Sequence, residues 1–229
     1  MAGYTLASLE ALMRSLIFEA TGDVGLVTAA QAQELIQLAN RQLTGEVMDL
    51  SPTIFAQRSA DKSITSTGLD YSGTALDSVG VHKLMMVEYK DSGGNYRQLS
   101  PIAYVEKDLF EGPSWQIAPE YTAFRWTVLG ERILLYPLPS GTVTARVTYL
   151  PVTSDIVDGG GSPVAPFGGK FLQYQEIVGY LAACMALEKD EKTTPIFRRY
   201  DSMHKRLVEF SRNRQVQRPR HIIMTEAED

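Results

Sequence analysis

The spacing of hydrophobic residues changes twice along this chain, and that change limits the folds it can adopt. At both ends apolar residues recur at steps of three and four, which is typical of amphipathic helices. In the middle they alternate with polar residues, most strictly from Thr142 to Tyr149. Strict alternation is typical of an antiparallel strand with one buried face. The sequence therefore predicts helices, then an antiparallel β region, then helices again.

Two helices are predicted in the first 50 residues. The first spans residues 5–21 and ends at Gly22. The second begins after Thr28, which can form a capping box with Gln31, and ends before Pro52. Its expected apolar stripe consists of Leu35, Leu38, Ala39, Leu43 and Val47. The short linker between the two helices favours antiparallel packing.

Two hairpins are predicted in the β region. In the first, LMMVEYK and YRQLSPI flank a five-residue turn, and in the second, AFRWTVL and RILLYPL flank Gly130-Glu131. The polar stretch 58–79 that precedes them has little core-forming content. After the β region, the loop VDGGGSPVAPFGGK is rich in glycine and proline, so no regular element is expected there.

Two further helices are predicted near the C-terminus. The first lies within residues 174–191, and the second starts at Thr194-Pro195, a suitable N-cap and first-turn pair. The side chains expected to pack are Ile177, Tyr180, Leu181, Cys184 and Leu187 on the first, and Phe197, Tyr200, Met203, Leu207 and Phe210 on the second.

These elements together predict an α+β fold in which the N- and C-terminal helices form one bundle, with an inserted antiparallel β subdomain and an extended C-terminal arm. The expected segments are a helical pair at 1–52, the β subdomain at 53–155, the completing helices at 156–214 and the arm at 215–229.

Composition and charge exclude several classes of protein. The formal net charge is −5, so the chain is not a globally basic nucleic-acid binder. Its single cysteine, Cys184, excludes an intrachain disulfide and is expected to be a buried, inert thiol. No apolar run approaches the roughly 20 residues that span a bilayer, and the N-terminus lacks the pattern of a signal peptide. We therefore expect a reducing cytoplasm as the place of synthesis.

No pattern of residues predicts catalysis, a metal site or a cofactor. The three histidines, at positions 82, 204 and 221, lack metal-ligand spacing and are expected to be surface or packing residues. The glycine runs at 159–161 and 168–169 lack the lysine and spacing of a P-loop, and a linker is the simpler interpretation. Acidic pairs such as Asp108/Glu111 and Asp190/Glu191 are expected to be solvated.

The basic residues are concentrated near the C-terminus. Between positions 198 and 220 there are two acidic residues and eight basic ones: Arg198, Arg199, Lys205, Arg206, Arg212, Arg214, Arg218 and Arg220. Because the whole chain is acidic, its body and its C-terminal region have opposite charge. The segment is either a solvated helix face or a surface that docks onto an acidic partner or a nucleic-acid backbone.

The last residues add an apolar cluster to this basic segment. Arg218, Arg220 and His221 precede three consecutive apolar residues, Ile222, Ile223 and Met224. Such a cluster is typical of a segment that orders on a partner by adding a strand or filling a groove. The alternative is an ordinary loose terminus.

The order of these elements resembles the head-to-tail adaptor, or connector, proteins of tailed bacteriophages. The resemblance is carried by TLASLEALMRSLIFEATG, by AQELIQLANRQLTGEV with its Asn-centred segment, by the first hairpin, and by ERILLYPLPSGTVTARVTYLPVTSDI. It covers nearly the whole chain and rests on the order of the segments. Val152 stands where the family pattern suggests proline, and the polar stretch 58–79 has no counterpart.

The resemblance implies a structural, non-enzymatic virion protein. It would form a ring, commonly of twelve copies, under the portal protein, with double-stranded DNA passing through the channel without sequence-specific binding. The expected partners are the portal, neighbouring copies and a downstream tail or nozzle protein, with no membrane. The expected location is the virion neck, after assembly in the host cytoplasm. The C-terminal segment would clasp the portal or a neighbouring subunit.

Two alternatives remain at this point. One is a tail-terminator or stopper protein lower in the neck, although such proteins are often β-dominated. The other is a DNA-binding protein that uses the basic segment 198–220, although neither a helix-turn-helix nor interleaved aromatic and basic residues are present.

Overall fold

The structure is a computed structural model that describes residues 3–21, 26–72, 76, 80–110, 124–159, 164–187 and 194–215. The chain divides into two compact units. One comprises Met1–Ile54 and Thr153–Asp229, and the other is Phe55–Val152. Each unit has its own pattern of burial, and each is described in turn.

The helices of the first unit pack around one central helix. Their bounds are α1 Leu6–Thr21, α2 Ala29–Leu50, α3 Pro52–Phe55, which runs into the second unit, α4 Ile177–Ala186 and α5 Thr194–Gln215. Helix α4 contacts α1, α2 and α5. Most of its residues are buried, and it is apolar on several sides because helices cover it on several sides.

The ends of α1 and α2 are capped in different ways. Thr28 and Gln31 form the predicted capping box at the start of α2, with each side chain bonded to the other residue's backbone N–H. At the start of α1, the backbone N–H groups of Leu6 and Ala7 donate to the carboxylate of Asp158, at 2.5 and 2.6 Å. A residue about 150 positions away therefore satisfies two helix-terminal donors.

Three amide side chains hold the loop between the β region and α4 against the helices. Gln37 on α2 bonds the backbone of Ile156 in both directions, each at 2.8 Å. The buried Asn40 donates to the carbonyl of Ser154 and accepts from the N–H of Phe167. Gln175 donates to the carbonyl of Pro166 and accepts from the N–H of Tyr4. This loop is thereby fixed to the bundle.

The second unit consists of short antiparallel strands, with one parallel pair. Among its described residues the strands are β1 Gln57–Arg58, β2 Lys62–Ile64, β3 Leu69–Asp70, β4 Val81–Lys90, β5 Tyr96–Gln98, β6 Ser100–Pro101, β7 Arg125–Leu129, β8 Arg132–Tyr136 and β9 Val143–Pro151. One sheet has the order β1-β9-β4-β5, with β2 also paired to β9, and the other has the order β3-β8-β7-β6. The pair β6 and β7 is parallel.

The alternating residues of the strands form the core of this unit. Val147 and Tyr149 on β9, Val87 on β4, and Ile133 and Leu135 on β8 are almost completely buried in one cluster. Both predicted hairpins are present, with Glu88 opposite Gln98 in one and Leu129 opposite Arg132 in the other. The alternation seen in the sequence therefore corresponds to one buried and one more exposed face.

The predicted fold class is confirmed. The protein is α+β, its N- and C-terminal helices pack together, and antiparallel β sheets are inserted between them. Helix α5 begins at Thr194, where the Thr-Pro pair predicted it. The extended arm was predicted at 215–229; Gln215 is the last residue of α5, and residues 216–229 lie outside the described residues.

The polar stretch 58–79 contributes more to the core than its composition predicted. It contains β2 and β3, and the side chains of Ile64 and Leu76 are completely buried. Gly68, with φ +84°, allows the turn between these strands. Few apolar residues suffice here because the strands on either side supply the rest of the cluster.

Three further expectations require correction. The Gly/Pro-rich loop does form local structure, since Pro166–Gly169 is a 3-10 turn with Phe167 buried, and Val157 pairs with Val164. Leu38 is not part of a buried stripe, because its side chain is 52% exposed. On α4, burial extends beyond the predicted side to Val178, Ala182 and Ala183.

Candidate docking surface on the last helix

Helix α5 is attached to the bundle by an apolar strip and an aromatic cluster. Ile196 and Leu207 are buried on its inner side. The ring of Phe210 lies 5.9 Å from that of Phe171 and 5.2 Å from that of Tyr174. Because the anchors recur along the helix, one side of α5 is committed to the bundle.

Polar contacts fix the rotation of α5 about its own axis. The Nε2 atom of His204 lies 2.7 Å from Oε2 of Glu46 on α2. The hydroxyl of Ser51, just after α2, donates to the carbonyl of Ser211. Arg199 lies 3.4 Å from Glu19 at the end of α1. These contacts determine which residues of α5 face outward.

The outward side carries a row of cations that we call the basic stripe, defined as Arg198, Lys205 and Arg212. Each is exposed, and within the part of the chain that the structure describes none has an ion-pair partner. Residues seven apart lie nearly above one another on a helix, about 10 Å apart along its axis. The stripe therefore presents three regularly spaced positive charges along about two-thirds of α5.

Two flanking cations and two carboxylates surround the basic stripe. Arg199 and Arg206, again seven residues apart, lie on one side of it, and both are exposed. Asp201 and Glu209 are also exposed on the outward side of α5. Cations exceed carboxylates on this surface, so its net charge is positive.

The basic stripe is not flat. A hollow of about 360 Å³ is lined by His204, Lys205, Val208, Glu209, Arg212 and Asn213. Val208, only partly buried, lines this hollow together with Lys205 and Arg212. A surface that combines cations, a carboxylate and an apolar side chain is better suited to an acidic protein surface than to a uniform row of phosphates.

The structure places part of the predicted site on this surface. Arg198, Arg199, Lys205, Arg206 and Arg212 lie together on the outward side of α5, and Arg199 is in addition paired with Glu19. The side chain of Arg214 and the predicted docking residues of the arm, from Arg218 to Met224, lie outside the described residues.

Two titratable side chains on α4 and α5, Cys184 and Tyr200, have raised pKa values. Burial, and to a smaller extent the nearby charge of Asp201, raises the pKa of the Cys184 thiol to about 11. The predicted burial of this thiol is confirmed. Burial also raises the pKa of Tyr200 to about 12, with Glu46 as the next contribution. His204 is a packing residue on this interface, in contact with both Tyr200 and Glu46, and His82 is exposed on β4.

The structure also shows an apolar surface that the sequence did not identify. A groove of about 390 Å³ is lined by Leu26, Val27, Gln31, Glu34, Leu35, Leu38 and Ala186. The periodicity of α2 assigned Leu38 to the core. The sequence alone gives no signal of its exposure, because exposure depends on which helices cover α2.

Within the described ranges, no group of three or more His, Cys, Asp or Glu side chains is arranged to hold a metal ion. Nor is any helix in those ranges sufficiently long and apolar to cross a lipid bilayer.

No protein-family model matches this chain, and no curated protein sequence matches it significantly.

Proposed function

We propose that this protein is a head-to-tail adaptor of a tailed bacteriophage, a structural protein that forms a ring under the portal and provides the docking surface for the tail. The observation that carries the proposal is the basic stripe on the outward side of a helix anchored to a packed bundle. Its three cations have no ion-pair partner among the described residues. The order of helices and strands, which resembles that of adaptor proteins, supports the same proposal.

Several copies of the basic stripe in one ring would bind a partner more tightly than a single copy. An exposed ion pair contributes about 0–1 kcal/mol, so a single copy of the basic stripe would bind weakly. When copies are linked in a ring, commonly of twelve, each later contact becomes intramolecular and the contacts reinforce one another. The partners in this proposal are the portal, neighbouring copies and a downstream tail or nozzle protein.

The charge of the rest of the chain suits a DNA channel. The chain as a whole carries a net charge of −5 although its C-terminal segment is basic. An acidic channel wall repels phosphate and lets double-stranded DNA slide without sequence-specific binding. In this proposal the protein is located in the virion neck, after assembly in the host cytoplasm.

A second candidate function is DNA binding, because the same basic stripe could contact phosphates. A protein that neutralises phosphates binds DNA with an affinity that falls steeply as salt rises. The mixed chemistry of the hollow beside Val208 favours a protein partner. Measuring the affinity for a short duplex at two salt concentrations distinguishes the two candidates. A DNA-binding protein is expected to bind the duplex tightly at low salt and much more weakly at high salt, whereas an adaptor is expected to bind it weakly at both.

The adaptor proposal is tested by co-sedimentation of the full-length chain with the portal from the same genome. The variant Lys205→Glu/Arg212→Glu reverses two charges of the stripe at exposed positions. The control Lys83→Glu/Arg132→Glu reverses two exposed cations on the β unit. We expect at least a tenfold loss of portal affinity for the stripe variant and less than a twofold change for the control. Absence of binding by the wild-type chain, or equal binding by all three, overturns the proposal.

A further inference from the structure

The groove on α2 is an exposed apolar surface. Its apolar lining consists of Leu26, Val27, Leu35, Leu38 and Ala186. The side chains of Leu26 and Leu38 are 49% and 52% exposed. Single exposed leucines are ordinary, but two that face one hollow of about 390 Å³ form a surface into which apolar side chains can insert.

The polar residues of the groove restrict what it can bind. Gln31 and Glu34 line it, and Glu34 is an exposed carboxylate. Among the described residues Glu34 has no ion-pair partner. A complementary ligand therefore has consecutive apolar side chains with a cation close beside them.

One segment of this chain has that chemistry. In RPRHIIM, residues 218–224, two arginines and a histidine directly precede three apolar residues. We propose that Ile222, Ile223 and Met224 of one copy occupy the α2 groove of a second copy, with Arg220 close to Glu34. This inference deepens the ring in the proposed function and rests on it.

The geometry of the bundle favours the groove of a second copy over the groove of the same copy. Glu46 contacts His204, and Ser51 contacts Ser211, so α2 and α5 run in the same direction. The groove lies near the start of α2, whereas α5 ends at Gln215, beyond the end of α2. Helix α5 therefore ends at the end of the bundle opposite to the groove.

The distances agree with this conclusion. At about 1.5 Å per residue, Glu34 is about 26 Å before Ser51 along α2, and Gln215 is about 6 Å beyond Ser211 along α5. The centre of the groove is therefore about 32 Å from the end of α5. Eight fully extended residues, from Gln215 to Ile223, span at most about 29 Å and would also have to reverse direction. A fully extended arm would therefore bring Ile223 only to the near edge of its own groove, at Leu38, and not to its centre.

Binding of the C-terminal arm of one copy in the groove of the next copy is a heterologous contact. Contacts of this kind generate a closed ring when the rotation between copies closes. In this arrangement the basic stripe remains available for the portal, and the apolar triplet binds the neighbouring copy.

The test is disulfide trapping between two full-length variants, Leu38→Cys and Ile223→Cys, mixed with and without the portal under mild oxidation. The matched control replaces Leu38→Cys by Leu172→Cys, another leucine about half exposed on the same unit but outside the groove. We expect a crosslinked heterodimer of Leu38→Cys with Ile223→Cys at least tenfold more abundant than in the control. Wild-type chains are expected to give none, because Cys184 is buried. Equal yields, or no crosslink in either condition, overturn the inference.

Charge exchange provides a second measurement. Glu34→Arg is expected to reduce the crosslink at least fivefold, and Arg220→Glu in the tail donor is expected to restore it. A reduction without restoration overturns the assignment of Arg220. If the portal does not bind but the crosslink forms between chains alone, the groove assignment stands while the adaptor proposal fails. If the portal binds and the crosslink is absent, the adaptor proposal stands while the groove assignment fails. The apolar triplet would then be a candidate contact for the portal.

Discussion

The imidazole of His204 lies 2.7 Å from the carboxylate of Glu46, which connects the middle of the last helix to the second helix. Together with the hydrogen bond from Ser51 to Ser211, it sets both the direction and the rotation of α5. The rotation places the basic stripe outward, and the direction places the end of α5 far from the centre of the groove on α2. Both proposals depend on these two contacts.

Gly68 provides a test of the turn between β2 and β3. Its φ is +84°, and a Cβ placed there would lie 2.8 Å from the carbonyl oxygen of Ile133. Because that oxygen belongs to a paired strand, it cannot easily move. We expect Gly68→Ala to lower the free energy of unfolding by about 1–3 kcal/mol, measured by chemical denaturation.

Gly45→Ala is the matched control for this substitution. Gly45 lies inside α2, and no atom is within 4 Å of a Cβ built there. Alanine favours a helix interior over glycine, so we expect this variant to be more stable by about 0.5–1 kcal/mol. Equal effects of the two substitutions would contradict the assigned backbone at Gly68.

The carboxylate of Asp158 is expected to stabilise α1. Asp158→Ala removes the acceptor for the N–H groups of Leu6 and Ala7, and loss of an N-terminal cap costs about 1–2 kcal/mol. Asp155→Ala removes a nearby carboxylate whose pair with Arg41 is about half exposed, so we expect a loss of about 0.5 kcal/mol or less. Thermal denaturation of both variants measures the difference, and a larger effect at Asp155 would show that the cap is assigned wrongly.

The buried amide of Asn40 is expected to be important for the loop that leads to α4. Asn40→Ala would remove partners from the N–H of Phe167, which has φ 55°, and from the carbonyl of Ser154. Loss of a buried partner costs about 1–3 kcal/mol for each group left unsatisfied. Gln42→Ala, at an exposed position of the same helix, should change stability by less than about 0.5 kcal/mol. Hydrogen exchange at Phe167 should accelerate only in the Asn40 variant.

The bundle is expected to lose stability in alkali. Burial raises the pKa of Cys184 from 9.0 to about 11 and that of Tyr200 from 10.0 to about 12. Both groups are neutral when protonated, and the folded state holds their protons more tightly than the unfolded state. Their contribution is therefore complete below pH 9 and is lost as the pH rises from about 9 to 12.

Two substitutions isolate these groups. Cys184→Ala is expected to weaken the fall in stability between pH 9 and 11, and Tyr200→Phe the fall between pH 10 and 12. Denaturant titrations at a series of pH values measure both slopes. Alkali sensitivity identical to that of the wild-type chain in both variants would contradict this assignment.

Local signals in the sequence predicted local structure well. The Thr28–Gln31 capping box, the hairpin turn at Gly130 and the start of α5 depend on residues close together in the chain, and all three are present. The basic residues of α5 were predicted to form one face of a helix, and the structure shows that this face is exposed.

Features that depend on distant parts of the chain were not predictable in the same way. Asp158 caps a helix that begins about 150 residues earlier, and no local pattern indicates it. The periodicity of α2 includes Leu38 in the apolar stripe, but only the arrangement of neighbouring helices leaves it exposed. Ile64 is buried because strands from elsewhere in the chain cover it. The groove on α2 was missed for this reason.

The most direct test of the adaptor proposal is electron microscopy of the portal from the same genome after incubation with the full-length chain. The account predicts an additional ring, coaxial with the portal and formed by several copies of this chain, with α5 at the contact. The ring should be lost with Lys205→Glu/Arg212→Glu and retained with Lys83→Glu/Arg132→Glu. A portal that carries no additional ring, or a chain that coats DNA instead, would contradict it.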